Sequence, residues 1–152
     1  MQKKSEKEYS ATKRTNRMAD QITIAIDFDG TVVMHEYPEV GAPNPGAIEW
    51  MKKFQEAGAR IILFTMRSEM NFLQDAVDYL EESGITLDGV NVNPGQESWT
   101  LTTKAYAQVY IDDAAFGCPL KINMSNGMPV GRPYVDWDVV GPKVMNIIVA
   151  SE

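Results

Sequence analysis

Short apolar runs rich in β-branched residues recur along the chain and predict the strands of a sheet. The first run covers residues 22–26 and is expected to be buried on both faces. Residues 60–65 and 108–111 form two further runs, and residues 89–92 form a weaker one. The chain therefore contains at least four predicted strands.

Between these runs, apolar residues recur every three or four positions, which predicts helices. One helix is expected to begin at Asn44-Pro45, as cap and first residue, and to end at Gly58. A second is expected to end at Gly84. The residues that share a face are Trp50, Phe54 and Ala57 in the first helix, and Leu73, Ala76, Val77 and Leu80 in the second.

The last forty residues are less regular. Residues 119–136 predict short extended pieces around the turn-forming pair Asn126-Gly127, and residues 140–148 predict a closing helix. Strands that alternate with helices predict an α/β, three-layer Rossmann-like fold, with a mostly parallel sheet covered on both faces.

Composition indicates one domain. The chain has 152 residues, 44% of them hydrophobic, which is enough to bury a core. Residues 1–17 carry six Lys or Arg and two Glu, which leaves a net charge of −11 for the remainder. We therefore expect an N-terminal extension, residues 1–20, that is poorly ordered, followed by a domain over residues 21–152.

The same composition limits the classes of partner and the compartment. An acidic body does not indicate nucleic-acid binding, although the basic extension leaves it open. The chain has no apolar run long enough to cross a membrane and no signal-peptide pattern. The single cysteine, Cys118, excludes an intramolecular disulfide and a Cys-rich metal site, which favours a cytoplasmic location.

Polar residues follow three of the predicted strands. Asp27 and Asp29 come after the first strand, Thr65 ends the second, and Asp112-Asp113 ends the last. Because parallel strands present their carboxyl ends at one edge of a sheet, we expect these side chains to converge there.

Several carboxylates that share a site need a cation. Unit charges about 4 Å apart repel by about 4 kcal/mol at an effective dielectric constant near 20. Oxygen ligands without His or Cys clusters favour Mg²⁺ over Zn²⁺. With its charge offset in this way, the Asp27 carboxylate can attack phosphorus and form an aspartyl-phosphate.

Other polar groups fit the same reaction. Asp29 is expected to protonate the leaving oxygen and later to deprotonate water. Thr65 supplies a hydroxyl and, at the start of a helix, backbone N–H groups, while Lys104 supplies positive charge. The Gly30-Thr31 turn allows backbone to approach a ligand.

Four motifs in order resemble the haloacid dehalogenase superfamily, in its phosphatase branch. They are Ile24-Ala25-Ile26-Asp27-Phe28-Asp29-Gly30-Thr31, Ile61-Ile62-Leu63-Phe64-Thr65, Lys104, and Val109-Tyr110-Ile111-Asp112-Asp113. The motifs span the Rossmann-like core, and residues 117–138 match no part of the pattern. Dehalogenase members lack the second Asp of the first motif, so its presence here indicates phosphoryl chemistry.

The resemblance implies a role for each matched residue. Asp27 is nucleophile and Mg²⁺ ligand, Asp29 is the acid/base and lends its backbone carbonyl to the metal, and Asp112 is a ligand. Asp113 is either a metal ligand or an acid that contacts the ligands without binding the metal itself. Gly30, Thr31, Arg67 and Ser68 are candidates for binding the phosphate or leaving group, although Ser68 is equally expected to cap a helix.

Caps govern substrate choice in this superfamily, and neither gap between motifs holds a cap domain. Residues 32–44 form only a short flap, with His35, Glu36 and Tyr37, and we expect His35 to be a solvated loop residue. An open site admits a phosphorylated small molecule or macromolecule, or uses a partner subunit of a homo-oligomer as a lid.

Three other functions stay open. A signalling receiver domain uses similar residues in a different order. It has its acidic pair at the first strand and its phosphorylated Asp later in the chain, whereas here the Asp-x-Asp comes first and the double Asp comes last. A catalytically silent module of the same fold would use the basic extension and aromatic residues such as Trp99 and Trp137 for binding, although packing in the core or in a loop is the favoured role of both Trp residues. A phosphotransferase would pass the phosphate to an acceptor other than water.

Overall fold

The computed structural model describes residues 21–151. The extension predicted for residues 1–20 lies outside the described residues. The elements, in chain order, are β1 (Thr23–Ile26), α1 (Ala47–Glu56), β2 (Arg60–Leu63), α2 (Met70–Glu82), β3 (Gly89–Val90), β4 (Val109–Ile111), β5 (Leu120–Ser125), β6 (Met128–Val135) and α3 (Trp137–Ala150).

The first four strands form one parallel sheet in the order β3-β2-β1-β4. β1 lies at the centre, with Ile26 aligned to Leu63 of β2 and to Ile111 of β4. The chain therefore leaves β1, β2 and β4 at the same edge of the sheet, and this edge carries the polar residues that follow each strand.

The helices cover one face of this sheet and form the main core with it. Ile24 and Ile26 of β1 and Ile61 and Leu63 of β2 are buried in one cluster with side chains of all three helices. The helical members of that cluster are Ala47, Met51 and Phe54 of α1, Ala76 and Leu80 of α2, and Trp137, Val140, Val144 and Ile148 of α3. On the face predicted for α2, Ala76 and Leu80 are buried, and Leu73 and Val77 are partly buried against the same cluster.

The opposite face is covered by the connection between β3 and β4. Arg60 donates to the side chain of Asn93, and the Tyr110 hydroxyl donates to the carbonyl of Ala105. The connection contains one 3₁₀ turn, Gln96–Ser98, in place of a long helix. The predicted α/β, Rossmann-like fold with a parallel sheet between two layers is confirmed.

The irregular segment near the C-terminus forms a hairpin. β5 and β6 pair antiparallel around Asn126-Gly127, whose φ angles of 52° and 75° suit the tight turn predicted there. Most hairpin residues are exposed, and Lys121 at its base donates to Asp138 at the start of α3.

Both predicted helix starts were placed too early. α1 begins at Ala47, after Gly46 in a left-handed conformation. The side chain of Asn44 is buried and does not cap this helix. α2 begins at Met70, so neither Thr65 nor Ser68 lies at its first turn. Among residues 21–151, no helix combines the length and the apolar character that a membrane span requires.

Candidate active site

Three carboxylates meet at the carboxyl edge of the sheet. Asp27 follows β1, and Asp112 and Asp113 follow the neighbouring β4. One oxygen from each of the three side chains lies within 4.8 Å of the others. The sequence prediction that these acids converge is therefore correct for Asp27, Asp112 and Asp113.

The cluster makes ionisation of Asp27 costly. Burial, followed by the carboxylates of Asp113 and Asp112, raises the pKa of Asp27 from 3.8 to about 8. A divalent cation beside the three oxygens would offset this repulsion. A donor set made only of carboxylate oxygens suits a hard cation such as Mg²⁺, so these residues fit the metal that the sequence predicts.

Thr31 joins the two halves of the cluster. Its hydroxyl donates to Oδ2 of Asp27 at 3.0 Å and accepts from the backbone N–H of Asp113 at 3.2 Å. The side chain is fully buried. The residue predicted to bind substrate therefore uses its hydroxyl to hold the two acids at a fixed separation.

His35 lies in the site, contrary to the expectation of a solvated loop residue. Its Nε2 is 2.9 Å from Oδ2 of Asp113, and its side chain is only 14% exposed. The imidazole packs directly over Gly30, where a Cβ atom would overlap it. Gly30 also has a φ of 80°, a conformation that favours glycine, so both space and backbone explain this residue.

Asp29 points away from the cluster, towards Arg67. Nε and one terminal nitrogen of Arg67 each donate to a different oxygen of Asp29, both at 2.8 Å. This two-pronged arrangement is the strongest form of a charge-assisted pair. It raises the pKa of Arg67 further above its ordinary value, chiefly through the hydrogen bonds to Asp29, while burial acts in the opposite direction.

The remaining N–H groups of Arg67 bind backbone carbonyls. One terminal nitrogen donates to Pro38 and Phe72 at 3.0 Å each, and the other donates to Glu39 at 2.8 Å. With the two bonds to Asp29, all five N–H groups are used within the protein. In this arrangement Arg67 has no N–H left for the phosphate that the sequence analysis assigned to it.

Three other predicted residues make no hydrogen bond to the acidic cluster within the part of the chain that the structure describes. Thr65 donates its backbone N–H to the side chain of Asn91 at 2.8 Å, and its hydroxyl accepts from the backbone N–H of Arg67. Ser68 is exposed. Lys104 is exposed and lies 5.4 Å from the centre of the Tyr110 ring. Their roles stay predictions.

The unassigned segment, residues 117–138, braces the loop that carries the first motif. The N–H of Val135 donates to the carbonyl of Gly30 at 2.9 Å. The buried amide of Asn44 donates to the carbonyls of Thr31 and Val135. Trp137 donates to the same Thr31 carbonyl at 2.8 Å. The C-terminal segment is therefore part of the support of the site.

Sequence reasoning missed the contacts that His35, Asn44 and Trp137 make in the site. The partners of His35 and Trp137 are 78 and 106 residues away, and no local pattern signals such pairing. Asn44 carried a misleading signal, since Asn before Pro is a common helix start. Its spacing after the Gly-Thr turn gave no indication that it would be buried.

The comparisons with known proteins support the fold. No family model matches the chain, and no curated protein does. A solved structure, described as the conserved protein coded by a locus from Bacteroides thetaiotaomicron, is similar to it with a TM-score of 0.66 and 29% sequence identity. The match covers 84% of this chain and 92% of that one. The description of that protein states no activity.

Proposed function

We propose that this protein is a magnesium-dependent phosphatase of the haloacid dehalogenase type, with Asp27 as its nucleophile. The observation that carries the proposal is the meeting of Asp27, Asp112 and Asp113 at one edge of the sheet, with oxygens within 4.8 Å of one another. This cluster belongs to the motifs that resemble the superfamily, and it makes a carboxylate available beside a cation site.

The proposed reaction has two steps. In the resting protein Asp29 is a carboxylate paired with Arg67, and it takes a proton from solvent when the substrate binds. In the first step, an oxygen of Asp27 attacks phosphorus, the bond from phosphorus to the leaving oxygen breaks, and Asp29 passes that proton to the leaving oxygen. In the second, water attacks phosphorus, Asp29 takes the water proton, and the bond from phosphorus to Asp27 breaks. Inorganic phosphate leaves, Asp29 releases its proton to solvent, and both side chains return to their starting states.

Mg²⁺, held by Asp27, Asp112 and Asp113 with the Asp29 carbonyl, would supply positive charge against the carboxylates and the phosphate. The Thr31 hydroxyl links the Asp27 carboxylate to the backbone N–H of Asp113, which restrains two of the residues that would hold the ion. His35 restrains Asp113 from the other side. The residues around the nucleophile are therefore fixed before substrate arrives, which is the condition for efficient catalysis.

The substrate is proposed to be a phosphate ester, either a small molecule or a macromolecule that reaches an open site. A partner subunit as lid and a cytoplasmic location belong to the same proposal. The test is hydrolysis of p-nitrophenyl phosphate with and without Mg²⁺, using Asp27→Asn purified identically as the control. Mg²⁺-dependent turnover by the wild type alone supports the proposal, whereas equal rates in both proteins would contradict it.

A silent binding module is the second candidate, and the position of Lys104 favours it. Its ammonium lies over the Tyr110 ring, and no hydrogen bond or ion pair joins it to the acids in residues 21–151. In that case the purified protein would bind Mg²⁺ but hydrolyse no aryl phosphate. A phosphotransferase would instead form the phosphorylated Asp27 and release little inorganic phosphate until an acceptor is added.

A further inference from the structure

All five N–H groups of the Arg67 guanidinium have acceptors within the protein. The residue is 2% exposed, and each of its five N–H groups has an acceptor at 2.8 to 3.0 Å. The guanidinium carbon, Cζ, also lies 5.1 Å from the centre of the Phe28 ring and 5.2 Å from that of the Tyr37 ring. A group bonded in this way has one orientation, because any rotation breaks several charge-assisted bonds inside a buried site.

The partner that gains most from this rigidity is Asp29. Both of its oxygens accept from Arg67, so the plane of the carboxylate is fixed by the plane of the guanidinium. Each oxygen keeps a second lone pair, and the side chain is 18% exposed. The part of Asp29 that is open to a ligand is therefore determined by Arg67.

The other three bonds connect this pair to elements that border the site. Pro38 and Glu39 belong to the flap, residues 32–44, and Phe72 lies in the first turn of α2. Tyr37 of the flap packs edge-to-face on Phe72, with ring centres 5.7 Å apart. The orientation of Asp29 is thus coupled to the position of the flap.

We infer that Arg67 is a positioning residue, which holds the carboxylate of Asp29 in the orientation that serves the leaving oxygen and couples that orientation to the flap. This inference rests on the proposed phosphatase function. It differs from the role that the sequence suggested, because Arg67 acts through Asp29 and touches no phosphate.

The inference has a readout that a merely structural residue would not change. Proton transfer to the leaving oxygen matters most when that oxygen is strongly basic, and little when the leaving group is stable as an anion. Phenyl phosphate and p-nitrophenyl phosphate differ in this respect and are similar in shape. Loss of the correct Asp29 orientation should therefore penalise phenyl phosphate more than p-nitrophenyl phosphate.

The experiment measures kcat/KM for both esters with saturating Mg²⁺ in the wild type, Arg67→Met, Arg67→Lys and Asp29→Asn. Arg132→Met, at an exposed position of the hairpin, is the matched control. We expect the ratio of phenyl to p-nitrophenyl turnover to fall by about tenfold or more in Arg67→Met, in the same direction as in Asp29→Asn. Arg67→Lys keeps the charge but cannot donate to both oxygens in the same plane. Its ratio should therefore lie between that of the wild type and that of Arg67→Met.

A double variant, Asp29→Asn with Arg67→Met, completes the test. If Arg67 acts through Asp29, the double variant loses no more of the ratio than Asp29→Asn alone. It also removes both buried charges together, which protects against misfolding if Arg67→Met leaves Asp29 unpaired and fails to fold.

The outcomes separate this inference from the proposed function. An unchanged ratio in folded Arg67→Met, or in Arg67→Lys if the first variant does not fold, overturns the positioning role while wild-type turnover still supports the phosphatase. Additive losses in the double variant overturn it as well. If the wild type hydrolyses neither ester with Mg²⁺, the proposed function fails and the inference falls with it.

Discussion

Trp137 donates its indole N–H to the carbonyl oxygen of Thr31 at 2.8 Å, across 106 residues of sequence. The same oxygen accepts from the amide of Asn44 at 2.9 Å. Both donors are buried, so water cannot replace either of them. The start of the last helix is thereby attached to the loop after β1, in which the Thr31 hydroxyl bonds both Asp27 and Asp113.

Trp137→Phe should lower the free energy of unfolding by about 1–3 kcal/mol, because it keeps an aromatic ring but removes a buried hydrogen bond. We expect phosphatase activity to fall as well, since Thr31 holds Asp27 in place. Urea denaturation and p-nitrophenyl phosphate turnover measure the two effects. Trp99→Phe is the matched control, as Trp99 is 63% exposed. Equal losses of stability and turnover in Trp137→Phe and Trp99→Phe would contradict a supporting role for the Trp137 hydrogen bond.

The stability of the metal-free protein should depend on the ionisation of Asp27. The pKa of Asp27 is about 8 in the folded state against 3.8 as its ordinary value. Between these two values the folded protein holds a proton that the unfolded chain releases. The free energy of unfolding therefore contains a contribution that is greatest at low pH and is lost as pH rises, by at most about 1.4 kcal/mol per pH unit.

This contribution is absent from Asp27→Asn. Urea denaturation in EDTA at several pH values should show the wild type losing stability relative to Asp27→Asn between pH 4 and pH 8, limits set by the folded and ordinary pKa values of Asp27. A difference between the two proteins that does not vary with pH would show that Asp27 is not held in its protonated form by its surroundings.

The proposed Mg²⁺ ion should stabilise the protein against heat, because an ion held by the three carboxylates would bind the folded protein and not the unfolded chain. At a hundred times the dissociation constant, the expected gain is about 2.7 kcal/mol. Asp112→Asn and Asp113→Asn should each reduce the shift in melting temperature. Asp78→Asn, at an exposed position of α2, serves as the control. A Mg²⁺ shift that survives in all three variants would place the metal elsewhere.

Gly30→Ala should be more destabilising than an alanine at another left-handed glycine. Gly58 has a φ of 95° and no atom within 4 Å of a Cβ built on it, so Gly58→Ala carries only the backbone cost of about 1–2 kcal/mol. At Gly30, with a φ of 80°, the new methyl group also overlaps the His35 ring and comes within 2.7 Å of Oδ2 of Asp113. Adding His35→Ala to Gly30→Ala should recover only the part of the steric cost that the ring causes, which denaturation of the single and double variants can measure.

Much of the fold could be predicted because its signals are local. The apolar runs gave β1, β2 and β4 to within about two residues, and Asn126-Gly127 predicted the hairpin turn. The acidic cluster was predictable for a related reason. Parallel strands carry their last residues to one edge, so Asp27 and Asp112 were expected at the same edge once β1 and β4 were recognised, and the pairing of these two strands makes them neighbours.

The contacts that were hardest to predict are those of side chains whose partners are distant in sequence. Arg67 follows the end of a strand, where a phosphate ligand is a reasonable expectation, and only the folded chain brings Asp29 and the flap carbonyls around it. His35 is polar and lies in a short loop, which is typical of solvated residues. Its contact with Asp113 depends on how the flap folds back over Gly30.

The brace between Trp137 and Thr31 has a consequence for synthesis of the chain. A ribosome that has made residues 1–136 has already supplied Asp27, the acidic pair and Arg67. It has not yet supplied the indole that holds the Thr31 carbonyl, so the loop that follows Asp27 acquires its full set of bonds only when the final helix emerges. No contiguous fragment that stops short of this helix contains the complete site.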